Sequence, residues 1–161
     1  MRNRRRALAA MALLPALMVG CGHPQGPPVI RIGSTCASCG MEVHDLRFAC
    51  ERPVANGWRV YDAIECLIRD AAADTGAAHA GRTAWLADYD RQSLHPADSA
   101  WVVRGSFPSP MGGGFAAFLS RAAADSIAAT TQGRVERLST WLIHPPGPEQ
   151  PAAPDTSGGT P

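Results

Sequence analysis

Four sulfur-bearing side chains stand out by where they sit. Cys36 and Cys39 form a C-x-x-C pair inside Cys-Ala-Ser-Cys-Gly-Met, which ends on Met41, and Met111 lies in Ser-Pro-Met-Gly-Gly-Gly, residues 109–114. Of the five methionines, Met1, Met11 and Met18 fall in an amino-terminal segment that reads as an export signal, so the mature chain keeps only Met41 and Met111. Both sit beside glycine in stretches that read as loops, whereas core methionines usually fill gaps on helix or strand faces. The two sulfurs of a C-x-x-C can reach one ion, and thiolate together with thioether selects Cu(I) over harder metals. A thioether carries no proton and forms no disulfide, which suits a ligand in an oxidising space. Spacing alone leaves a plain Cys36–Cys39 disulfide open as the alternative.

The compartment follows from the amino terminus. Arg2, Arg4, Arg5 and Arg6 make a positive segment, followed by a 13-residue apolar run, Ala7 to Val19, interrupted by Pro15. That is shorter than the ~20 residues a bilayer-spanning helix needs, but it suits a signal peptide over residues 1–20. The run ends in Val-Gly-Cys and resembles a bacterial lipobox, although Met18 stands where leucine is usual. Cys21 is then the lipidated first residue of the mature chain. Two acyl chains give a stable anchor where one is marginal. Gly22 offers no inner-membrane retention signal, so the expected location is the periplasmic face of the outer membrane. Ordinary signal cleavage with Cys21 incidental is the alternative. Outside the cytoplasm, Cys36, Cys39, Cys50 and Cys66 allow two disulfides in three connectivities. A Cys50–Cys66 pair would leave the C-x-x-C free for metal, while a free buried thiol is the plainer expectation for Cys66.

Charge narrows the partners. All 15 basic residues are arginine; without the four at the amino terminus, 11 arginines face 14 acids, a net charge of −3. No basic stripe of the kind that binds nucleic acid is present. A thiol oxidoreductase, the enzyme alternative, places its C-x-x-C at a helix amino terminus, where the dipole lowers the thiol pKa. Here Gly40 and a strand-like Met-Glu-Val-His follow instead. A zinc ribbon needs a second closely spaced pair, which Cys50 and Cys66 do not form. Asp88 and Asp90 read as ordinary strand-end charges, and no catalytic set is found.

The elements that position these residues are partly legible. Residues 21–28 read as an anchor and tether, and 145–161, with nine Pro and Gly in 17 residues, as a disordered tail. The folded part is residues 29–144. Strands are expected at 29–32, 42–49, 58–61, 83–89 and 101–104, and a last short strand or helix at 135–142. Asp62 and Glu65 have the spacing of a capping box, opening a helix with Ile64, Leu67, Ile68 and Ala71 on one face and Gly76 at its close. A second helix is expected over 115–129, with Phe118, Leu119, Ala122 and Ala123 inward. Two strand-strand-helix units of this kind make one compact α+β domain.

The lipobox, CASCGM (36–41), VYDAIECL (60–67), ADY (87–89) and PMGGGFAAF (110–118) resemble NosL, the nitrous oxide reductase accessory lipoprotein family, in matching order from about Ile32 to Ala129. The resemblance implies a periplasmic Cu(I)-binding metallochaperone, not an enzyme. Its expected partners are a copper enzyme, nitrous oxide reductase, or that enzyme's membrane and periplasmic maturation complex. By motif it implies Cys36, Cys39, Met41 and Met111 as metal ligands. A histidine has been considered as a ligand in the family, but no motif places one here; His44 is merely the nearest to the cysteine pair. The tail, the absence of lysine and Cys50 depart from the family pattern.

Overall fold

The computed structural model describes Pro27, residues 29–74 and residues 83–145. The signal segment, Cys21, nearly all of the tether and tail, and Gly76 lie outside the described residues. The fold is α+β, with seven strands in two antiparallel sheets and three α-helices among the described residues. The first sheet has the order β2-β1-β3-β4, from β1 (Cys50–Val54), β2 (Gly57–Tyr61), β3 (Trp85–Ala87) and β4 (Leu94–Pro96). The second has the order β6-β5-β7, from β5 (Trp101–Arg104), β6 (Phe115–Phe118) and β7 (Arg134–Glu136). Helix α1 (Ile64–Ala73) follows β2, α2 (Arg121–Thr131) follows β6, and α3 (Leu138–Ile143) follows β7. The first expected strand-strand-helix unit is present as β1-β2-α1; the second, expected from residues 83–89, 101–104 and 115–129, is instead β5-β6-α2, because β3 pairs into the first sheet.

The first hairpin begins later than its residue pattern predicts. Residues 42–49 are not a strand, because the Asp45 carboxylate accepts from the Arg47 amide at 3.0 Å and turns the chain over 46–48. The strand is Cys50–Val54, joined to β2 by a two-residue turn with Val54 opposite Gly57. Its Glu, Arg and Pro hide it from a hydrophobicity pattern. Residues 29–32 are not a strand either. Ile30 and Val43 pack with Ala49 instead, against Leu46, Val60 and Leu94, and cover the sheet face turned away from α1.

A second correction concerns residues 115–118, expected as the start of a helix. All four of Phe-Ala-Ala-Phe are buried and pair with β5, Trp101 opposite Phe118 and Arg104 opposite Phe115. A strand covered on both faces shows no alternation, and its alanines merged with the alanine-rich helix beyond. That helix starts at Arg121, where Ser120 caps it by accepting from the Ala123 amide at 3.3 Å. Ala124 and Ala128 are its buried residues, rather than Ala122 and Ala123.

Helix α1 buries Ile64, Leu67, Ile68 and Ala71, the expected stripe at helical spacing. An Ile or Leu to Ala change in such a stripe costs roughly 2–5 kcal/mol. A polar clamp fixes the far end of the helix on the sheet: Arg52 donates to Tyr61 Oη at 2.9 Å and to Asp70 at 2.7 Å, and Tyr61 donates to Asp70 at 2.6 Å. The helix is therefore held in register from its carboxyl half, leaving its amino-terminal corner to face the loop that carries the C-x-x-C.

Candidate metal centre

The loop is built by short-range hydrogen bonds. Gly33 donates to the Val43 carbonyl at 2.9 Å, Val43 to Ser34 at 2.8 Å, and Thr35 bridges Glu42. At the tip, Cys36 N–H donates to the Met41 carbonyl at 2.7 Å and Gly40 N–H to the Cys36 carbonyl at 3.0 Å. Gly40 has φ +77°, a conformation glycine adopts without penalty, so CASCGM can close on itself there. Ala37 N–H donates to the Val60 carbonyl at 2.8 Å, pinning the loop to β2 just before the chain enters α1.

At the helix corner the capping box does not form. Ala63 is the N-cap, and no side chain caps the helix. Asp62, one residue earlier, is buried and accepts from Cys39 Sγ at 3.6 Å, while Glu65 turns away toward the 109–114 loop. Ligand atoms of Cys36, Cys39, Asp62 and Cys66 lie within 4.8 Å of one another. Three thiols and a carboxylate thus converge from a loop and a helix start about 30 residues apart in the chain.

Burial sets the electrostatics. It pushes the Cys36 and Cys66 thiols above their ordinary range, and the Asp62 carboxylate beside them acts in the same direction. Cys36 is 2% exposed and Cys66 0%, whereas Cys39 is half-buried. Asp62 Oδ2 is buried without a hydrogen-bond partner among the described residues. An orphaned buried oxygen costs at least about 1–3 kcal/mol, and a cation in the cluster would relieve it. The donor set therefore fits a soft or borderline ion that displaces thiol protons as it binds.

The structure brings Cys36 and Cys39 together, and Cys36, Cys39, Cys50 and Cys66 are free thiols. Met111 is half-buried against the core that contains Cys36 and Cys66. Met41 is 44% exposed, and His44 is exposed outside the cluster. Cys50 is buried outside it as well, donating to the Ala63 carbonyl at 3.6 Å. Sequence reasoning missed Asp62 and Cys66 as members of the site. Asp62, just before the N-cap, has the residue type of a helix cap and Cys66 that of a core position, so neither shows in the sequence as a ligand.

No protein-family model and no curated protein matches the chain. Its fold is similar to the crystal structure of the copper chaperone NosL from Shewanella denitrificans, with a TM-score of 0.60 at 18% identity over 71% of this chain and 94% of that one. At that identity the likeness is one of fold.

Proposed function

We propose that this chain is a Cu(I) metallochaperone anchored through Cys21 to the periplasmic face of the outer membrane. Its cargo passes to the assembly machinery of a copper enzyme, with nitrous oxide reductase as the recipient. The observation that carries the proposal is the convergence of Cys36, Cys39 and Cys66 on Asp62. The likeness of fold to a copper chaperone and the CASCGM and PMGGG motifs support it.

Copper here is cargo, and the chain's residues divide the work of holding and releasing it. Cys36 and Cys66 form the buried floor and Cys39 the lip, so an incoming thiolate or imidazole from an acceptor meets the ion on the Cys39 side. Exchange one ligand at a time from that side avoids a bare ion. The half-buried thioether of Met111 adds a soft, uncharged donor from the loop between β5 and β6, favouring Cu(I) over Zn(II). Met41, exposed at the same loop, suits a donor used during transfer rather than storage.

The test is an anaerobic titration of the reduced chain against a chromophoric Cu(I) competitor, with Zn(II) in parallel. Strong preference for Cu(I) is expected. Equal or tighter retention of Zn(II) would overturn the copper reading. Robust insulin reduction without copper binding would transfer the C-x-x-C to disulfide exchange, a chemistry for which the buried Cys36 thiol, pushed above its ordinary range by burial, is poorly prepared.

A further inference from the structure

Glu65 stands beside Cys66 at the start of α1, yet its carboxylate serves another part of the chain. Glu65 Oε1 accepts from Ser109 Oγ at 3.1 Å and from the Gly113 amide at 3.1 Å, and Ser109 Oγ accepts in turn from the Gly114 amide at 3.0 Å. These residues bracket Met111 on both sides. The approach at Gly113 is close: a Cβ there would lie 2.9 Å from Glu65 Oε1, so a side chain at 113 would displace the carboxylate. Among the described residues, this is where the helix carrying Cys66 grips the loop carrying Met111 through side-chain hydrogen bonds.

We infer that Glu65 is a positioning residue that holds the Met111 thioether in register with the thiol cluster. This rests on the copper-carrier reading above. A thioether is a neutral, weak donor on a side chain with three rotatable bonds, and in a loop holding Gly112, Gly113 and Gly114 it would lose much entropy on fixing. The carboxylate restricts the loop before the ion arrives. Cys36, Cys39 and Cys66 are held by their own loop and helix, so Glu65 governs the thioether and not the thiols. Its effect is therefore confined to a metal that uses sulfur from Met111.

The test measures Cu(I) affinity by competition, and Zn(II) affinity in parallel, on the full reduced chain with Glu65→Ala, Glu65→Gln, Met111→Ala and the Glu65→Ala/Met111→Ala double variant. Glu65→Ala should weaken Cu(I) binding about tenfold, the scale of a lost charge-assisted hydrogen bond. The double variant should be no weaker than Met111→Ala alone, Zn(II) binding should be unchanged, and Glu65→Gln, which keeps an acceptor oxygen, should retain most of the affinity. If Glu65→Ala melts early, Ser109→Ala cuts the same grip from the loop side and should show the same non-additivity with Met111→Ala. Additive losses, an equal loss of Zn(II) binding, or no Cu(I) effect in a chain whose cysteine variants do lose copper would overturn the positioning role alone. A wild-type chain without Cu(I) binding would overturn the carrier reading and this inference with it.

Discussion

Asp88 Oδ2 accepts a hydrogen bond from the backbone amide of Leu119 at 2.9 Å, tying the end of β3 in one sheet to the end of β6 in the other. The same carboxylate takes the amides of Asp90 at 2.9 Å and Arg91 at 3.0 Å through Oδ1, and next to it Tyr89 N–H donates to the Ala117 carbonyl at 2.8 Å. Asp88 is 3% exposed, so it is a buried fastener between the sheets rather than the strand-end charge that its sequence suggests.

Removing that fastener should be costly. Asp88→Ala strands up to three amides that now face a carboxylate, and hydrogen bonds to charged groups contribute about 1.5–3 kcal/mol each. A loss of roughly 3 kcal/mol in urea unfolding is expected, with Asp90→Ala nearly neutral. Equal effects of the two changes would show that the inter-sheet bond carries no stability.

Glu51 predicts a pH dependence. It is buried in β1 with neither carboxylate oxygen paired among the described residues, and burial raises its pKa from an ordinary 4.5 to about 7. Between those values the unfolded chain has released the proton while the folded chain keeps it. Folding stability should therefore fall as pH rises through this window, reaching a penalty on the order of 3 kcal/mol above pH ~7. Glu51→Gln should flatten the profile and be the more stable form at pH ~8. Parallel profiles for the two proteins would rule this out.

The ligand assignment makes a graded forecast for copper. Cys36→Ser, Cys39→Ser and Cys66→Ser should each weaken Cu(I) binding by about a hundredfold or more, and Met111→Ala by about tenfold. His44→Ala and Cys50→Ser should stay within about twofold, since neither residue joins the cluster. Competition titrations of the six variants give the order directly. A Cys50 effect equal to that of Cys66 would mean the ion sits elsewhere.

Anchoring is checked by fractionation. Cys21→Ala should move the protein from membranes to the soluble periplasmic fraction. A wild-type protein that is soluble and carries no acyl mass would remove the lipid anchor from the account.

What the sequence made legible follows what each residue type does locally. Cys36, Cys39 and Gly40 are legible because a tight loop depends on its own residues, and the buried stripe of α1 because its spacing is periodic. Phe115–Phe118 was misplaced because a strand buried on both faces has no period to read. Cys50–Val54 was missed because Arg52 is buried through Tyr61 and Asp70, partners nine and eighteen residues away that no local pattern displays. The same limit hid Asp62 and Glu65. Each has the chemistry of a helix cap, and only the packing of distant loops diverts one to the thiols and the other to Gly113.

The separation of Cys36 from Cys66 has one more consequence. An ion shared by the two closes a loop of about 30 residues that holds β1, β2 and the turn into α1, and such a clip raises stability chiefly by limiting the freedom of the open chain. Cargo and staple would then be the same object. The loaded carrier would resist unfolding and proteases better than the empty one, and each delivery would loosen the hairpin that had just held the metal, marking spent molecules by their fragility.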